Sequence, residues 1–156
     1  SNSYSPAVGI KFEMSEQLQG SLRAGGNKVS NGGGGLNWQG GMDVRYVGER
    51  FEVSVDAGRS TVVSSEGGFT EVKQLRTSFS YAGDELIRAG FYASWQDNKG
   101  EQPNTMQQYS AWASRELSAF WTTRFSFTYK QRQEENLANA SANIFGLSLI
   151  YSHPDF

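Results

Sequence analysis

The chain has no cysteine, one histidine and three prolines in 156 residues. Without cysteine there is no disulfide framework and no thiolate metal site. A single histidine, His153, excludes multi-histidine metal sites. No apolar run approaches the ~20 residues of a transmembrane helix. That absence leaves membrane-spanning strands open, because their hydropathy signal is far weaker. Neither sign of charge dominates. The net charge of −2 gives no pull toward nucleic acid or acidic lipid. No helix-period segment, linker or second domain is visible, and the length suits one domain. There is no signal peptide. The chain opens on Ser1-Asn2 rather than Met, which reads as a mature or trimmed product.

What the chain does have is aromatic residues, 13% of the total, and 18 glycines, against a mean hydropathy of −0.55. Many aromatics in a chain polar on average imply alternation rather than apolar blocks. The alternation is explicit, and a period of two marks a strand with one apolar side. Residues 7–15 set Val8, Ile10, Phe12 and Met14 against Gly9, Lys11 and Glu13. Leu18–Val29 sets Leu22 and Ala24 against Ser21 and Arg23, its glycines weakening the pattern. Leu36–Val47 sets Leu36, Trp38, Met42, Val44 and Tyr46 against Asn37, Gln39, Asp43 and Arg45. Phe51–Val63 sets Phe51, Val53, Val55 and Ala57 against Glu52, Ser54 and Asp56. Residues 72–81 and 86–96 continue the pattern, with Arg76 and Arg88 on their polar sides. In residues 105–114 Trp112 falls on the polar side, opposite in parity to Tyr109, Ala111 and Ala113. Residues 119–130 are the clearest case: Trp121, Thr123, Phe125, Phe127 and Tyr129 against Thr122, Arg124, Ser126, Thr128 and Lys130. A ninth strand lies within residues 143–156.

Between strands, tight turns centre near residues 16, 49, 84 and 116. Longer loops centre near 33, 67, 101 and 136. Both series repeat at roughly the length of a hairpin of ten-to-twelve-residue strands, the segment length of a membrane barrel. The sequence therefore predicts an all-β fold, an antiparallel up-and-down transmembrane β-barrel with eight or nine strands visible.

The last segment carries a resemblance. Phe145, Leu147, Leu149 and Tyr151 share one face, and the chain finishes on Phe156. This resembles the C-terminal signal of Gram-negative outer-membrane β-barrel proteins, with His153-Pro154-Asp155 interrupting the usual alternation. The resemblance implies a bacterial outer-membrane location. It also implies outer-membrane lipid and the barrel-assembly machinery as partners. Aromatics on the apolar face gather near strand ends: Tyr46, Tyr81, Trp121 and Tyr151 by the short turns, Trp38, Trp95 and Tyr129 toward the loops. Two such rings suit two membrane interfaces.

Alternation alone does not say which face looks outward. A soluble lipocalin-like ligand-binding barrel would put the apolar face inside. In a membrane barrel the polar face lines the lumen, with Lys11, Arg23, Arg45, Arg76, Arg88, Arg124 and Lys130 against Glu13, Asp43, Glu52 and Asp56. These charges describe either a transport or export pore with a basic lining, suited to anionic solutes or polysaccharide, or a set of ion pairs closing a narrow, structural barrel. Bacterial single-chain barrels have an even number of strands. Nine strands imply either that residues 1–17 are not a membrane strand or that this is the C-terminal part of a larger barrel, completed by another segment or chain.

Catalytic chemistry is not expected. His153, at the C-terminal edge beside Pro154, reads as an interfacial residue rather than a general base. Glu134-Glu135 and Asp84-Glu85 read as solvated loop and turn residues. Gly32, Gly33, Gly34 and Gly35 lack the Lys-Ser/Thr of a phosphate-binding loop. No cofactor, metal or nucleic acid is expected.

Overall fold

The computed structural model describes residues 3–4, 6–29, 36–63, 69–100 and 102–153. Ten strand segments form one antiparallel sheet: β1 (Ser3–Tyr4), β2 (Ala7–Glu13), β3 (Leu18–Val29), β4 (Leu36–Val47), β5 (Phe51–Val63), β6 (Phe69–Ala82), β7 (Ile87–Lys99), β8 (Asn104–Glu116), β9 (Trp121–Glu134) and β10 (Ala140–Tyr151). β1 and β2 are two pieces of one strand. Tyr4 pairs with Lys28 and Ala7 with Gly25, so the register runs straight through. Pro6, which has no N–H to donate, sits on this edge, and its carbonyl still accepts from Gly26 N at 3.1 Å. The result is a nine-strand meander in which each strand pairs with the next in sequence. Among the described residues β2 and β10 pair only inward, so both outer edges of the sheet are unpaired. Residues 7–13 are a paired strand, which settles the count at nine rather than eight.

Three of the four connections at one end are closed by a side chain. Ser15 Oγ accepts from Leu18 N, Asp84 Oδ1 from Leu86 N and Ile87 N at 2.7 and 2.8 Å, and Ser118 Oγ from Phe120 N and Trp121 N. Such Asx and Ser turns substitute a side-chain oxygen for a backbone carbonyl. In the fourth, Gly48 N donates to Phe51 O at 2.7 Å. At the other end the last connection turns through Asn136, whose φ of 69° is left-handed, a conformation asparagine tolerates.

At this second end the structure corrects the expected long loops. β6 starts at Phe69 rather than at residue 72. β7 runs to Lys99, β8 starts at Asn104, β9 runs to Glu134 and β10 starts at Ala140. These extensions carry polar residues on both faces, such as Asp97, Asn98, Arg132 and Glu134. Beyond a membrane both sides of a strand meet water, so alternation disappears while backbone pairing continues. That is why they read as loops.

The register also reports strand tilt. Tyr46 lies opposite Val53, two positions from Phe51 at its hairpin; Phe51 then faces Tyr81. The same two-residue step recurs from Ala89 to Ile87 and from Thr123 to Trp121. A shift of two residues across two strands tilts them by about 35°, within the range of membrane barrels.

Candidate functional site

The register divides the sheet into two faces of opposite character. On one, successive pairings bring together Ile10, Leu22, Met42, Ala57, Leu75 and Trp95. This face is apolar from Tyr46, Phe51, Tyr81, Trp121 and Tyr151 at the turn end to Trp38, Trp95, Tyr109 and Tyr129 toward the other. Every sequence-predicted interface aromatic lies on it. Ring contacts tie the turn-end row, with Tyr46 5.5 Å from Phe51 and Trp121 5.0 Å from Tyr151. Tyr109 and Tyr129 stack at 6.4 Å in the second row. Trp121 to Tyr129 on a strand tilted by about 35° spans ~22 Å, close to the ~25 Å apolar band of membrane barrels.

No large apolar side chain among the described residues is buried. Leu147, Val8 and Phe145 are 80%, 73% and 70% exposed. A water-soluble protein hides such residues, because burying apolar surface is the main drive to fold. A contiguous apolar face of this extent marks a surface that something other than water covers. Of the terminal-strand signal, Phe145, Leu147, Leu149 and Tyr151 share this face on β10; Phe156 lies outside the described residues. His153 sits edge-on to Tyr151, with ring centroids 6.3 Å apart.

The other face gathers every charged residue expected there: Lys11 and Glu13 on β2, Arg23 on β3, Asp43 and Arg45 on β4, Glu52 and Asp56 on β5, Arg76 on β6, Arg88 on β7, Arg124 and Lys130 on β9. Their electrostatics differ across the sheet. In β3–β5 both arginines of this face are paired. Arg45 Nε donates to Glu52 Oε1 at 2.7 Å. Asp43 accepts from the Ser21 hydroxyl and lies 4.0 Å from Arg23 Nη2. A concavity of about 880 Å³ opens over Lys11, Glu13, Arg23, Asp43 and Arg45. From β6 onward Arg76, Arg88, Arg124 and Lys130 stand apart from carboxylates among the described residues. Arg76 faces Asp56 in register, yet its guanidinium bonds Gln74 Oε1 at 3.2 Å instead. Among the described residues, no carboxylate lies within ion-pair distance of Arg88, Arg124 or Lys130. On this face of β7–β10 the carboxylates are Glu116 and Glu134, at strand ends, and Glu134 is taken by Arg132 at 2.6 Å. A second concavity, about 460 Å³, is lined by Arg76, Tyr92, Gln96, Gln108, Lys130 and Arg132 among others.

Two features escaped sequence reasoning. Arg59 and Lys73 lie directly opposite each other on the apolar side, level with Trp38 and Trp95. Glu71 holds both, at 2.6 Å from Arg59 Nη2 and 3.2 Å from Lys73 Nζ, while Arg59 stacks 4.3 Å over the Trp38 ring. This rim lies beyond the apolar band. The hydrogen bond from Lys73, with Arg59 nearby, holds the Glu71 carboxyl below the usual carboxylate range. Polar residues at alternate positions past the last aromatic were the available signal. The second feature is Trp112. Its wrong parity was visible, but not that its indole lies against Gly90, with the Arg124 guanidinium 4.5 Å from its ring.

No protein family's sequence model matches the chain, and no curated protein is similar to it. Among solved structures it is similar to the in-vitro folded OmpT, an outer membrane protein of Vibrio cholerae, with a TM-score of 0.61 at 8% identity. The match covers 96% of this chain and 55% of that one, so the chain spans about half the length of the structure it matches. At that identity the likeness concerns the fold: an antiparallel, up-and-down sheet of the outer-membrane β-barrel kind.

Proposed function

We propose that this chain forms part of the wall of an outer-membrane pore whose basic lumen passes anionic solutes, acidic polysaccharide among them. The apolar face meets lipid and the polar face lines the path. One observation carries the reading: Arg88, Arg124 and Lys130, with no carboxylate among the described residues within ion-pair distance, on the polar side of a sheet whose opposite side is a continuous, unburied apolar band. Cations without partners on an inward face impose a positive potential that favours anions. The free edges of β2 and β10 are open to further strands. Nine strands matching 55% of the OmpT chain correspond to a complete barrel of about sixteen, an even number. A barrel of that size leaves an aqueous channel, whereas about eight strands leave room only for side chains. The rest of the wall comes from another segment or chain, and the barrel-assembly machinery inserts it. No catalytic step is assigned to the chain.

The Arg45–Glu52 and Arg23–Asp43 pairs support a second reading, a closed structural barrel plugged by ion pairs. Planar-bilayer conductance of the full-length native protein, with its chain mass, separates the two. A large, steady conductance from a protein well beyond 156 residues is expected. Negligible conductance from a protein of this length would establish the plugged barrel.

A further inference from the structure

Trp112 is out of place on the polar face of β8. Its strand neighbours on that face are Gln108, Ser110 and Ser114. An indole pointing into an aqueous lumen gains nothing from hydration, so its surroundings show what it is for. Across the β7–β8 ladder it faces Gly90, the single buried residue among those described. A Cβ at Gly90 would run into the indole Nε1, Cε2 and Cζ2. The absent side chain therefore makes the niche that lets the indole sit against the wall. From β9, paired with β8 through Ser114 and Arg124, the Arg124 guanidinium reaches over the ring at 4.5 Å. Arg88, two residues before Gly90, also pairs with Ser114. The result is an indole seated on Gly90 with the Arg124 guanidinium over its ring and Arg88 on the neighbouring strand, and no carboxylate of the described residues lies within ion-pair distance of either arginine. Trp112 and Arg124 sit side by side with the hydroxyl residues Ser114 and Ser126.

Each part of this arrangement selects a feature of a ligand. The half-exposed indole offers apolar contact to the C–H groups of a sugar ring. A guanidinium fork accepts a carboxylate bidentately, far more specifically than an ammonium would. Hydroxyls suit the remaining ring hydroxyls. We infer that Trp112 and Arg124, seated over Gly90 and joined by Arg88, form a binding site for a carboxylated sugar ring, a uronic acid unit of an acidic polysaccharide. The inference rests on the pore reading for its setting and narrows that reading's anionic solutes to carboxylated sugars. A bare ring of cations would bind any anion; the indole adds the requirement for a ring.

The test uses the full-length native protein refolded in detergent. It is titrated by calorimetry with a uronic acid trisaccharide and, in parallel, with a neutral trisaccharide of the same length; bilayer conductance is recorded on the same preparations. The acidic trisaccharide binds, the neutral one about tenfold or more weaker, and W112A and R124Q each lose about tenfold in affinity. G90A keeps every side chain of the site yet displaces the indole, and weakens binding as well. R124Q is the safeguard if W112A does not refold, since Arg124 is exposed. Equal binding by wild type, W112A and R124Q, or equal binding of the two trisaccharides, overturns the site. Trp112-dependent binding without conductance supports the site and overturns only the pore.

Discussion

The two halves of the polar face use the same residue types to opposite ends. Across β3–β5 each arginine meets a carboxylate: Arg45 with Glu52, Arg23 with Asp43, and Asp43 held in addition by Ser21. Across β7–β10 Arg88 and Arg124 meet no carboxylate among the described residues, and Arg124 lies over the Trp112 indole instead. The net field of a paired cluster falls off quickly, because its charges cancel at short range. Unpaired cations project theirs into the solution. The first half thus holds its own strands together, and the second is left to act on something else. A face that was merely solvated would show no such division.

The largest expected effect tests whether both halves share one wet face. Ala111→Arg, in the middle of the apolar side of β8, costs about 2–4 kcal/mol in a denaturant titration of the protein in phospholipid vesicles. Ser110→Arg, the preceding residue but on the polar face, costs about 1 kcal/mol or less on the same scale. Equal costs would dissolve the distinction between the faces, and the comparison with it.

Charge reversal addresses the halves directly. If the proposed pore is anion-preferring, Arg88→Glu with Arg124→Glu turns its conductance toward cations, changing the permeability ratio on the order of tenfold. Arg45→Glu does less, since Glu52 already screens that arginine, and Glu52→Gln releases Arg45 and raises anion preference slightly. Reversal potentials in asymmetric salt read all three variants. If Arg45→Glu moved selectivity as far as the double variant, pairing would not matter and the halves would be equivalent.

The smallest effect is at the rim, where Glu71 holds Arg59 and Lys73. Its carboxyl titrates lower in the folded protein than in the unfolded chain. It therefore contributes stability that is fully present above the ordinary carboxylate range and is lost as pH falls through its own lowered value. A shallow drop in the unfolding midpoint on acidification, flattened in Glu71→Gln and at high salt, is expected. An unchanged slope in Glu71→Gln would assign the acid sensitivity to other carboxylates.

Much of this was legible from residue order. Three strands, Leu18–Val29, Leu36–Val47 and Phe51–Val63, have the bounds their alternation predicts. All eleven expected polar-face charges share a face, and so do all seven interface aromatics. The misreadings lie where alternation stops reporting on structure. Asp97, Asn98, Arg132 and Glu134 are strand residues, yet both their faces meet water, so only backbone pairing identifies them.

What the order of residues determined by itself is parity. A side chain's face follows from counting by two along its own strand, and chemistry segregates the faces because one meets lipid-like and one water-like surroundings. Which residues meet across strands depends on register, and register depends on turns such as those closed by Ser15, Asp84 and Ser118. Only the tertiary structure therefore decided that Arg45 is neutralised while Arg124 is not. It alone placed Trp112 on Gly90, because that contact joins residues on different strands through space rather than along the chain.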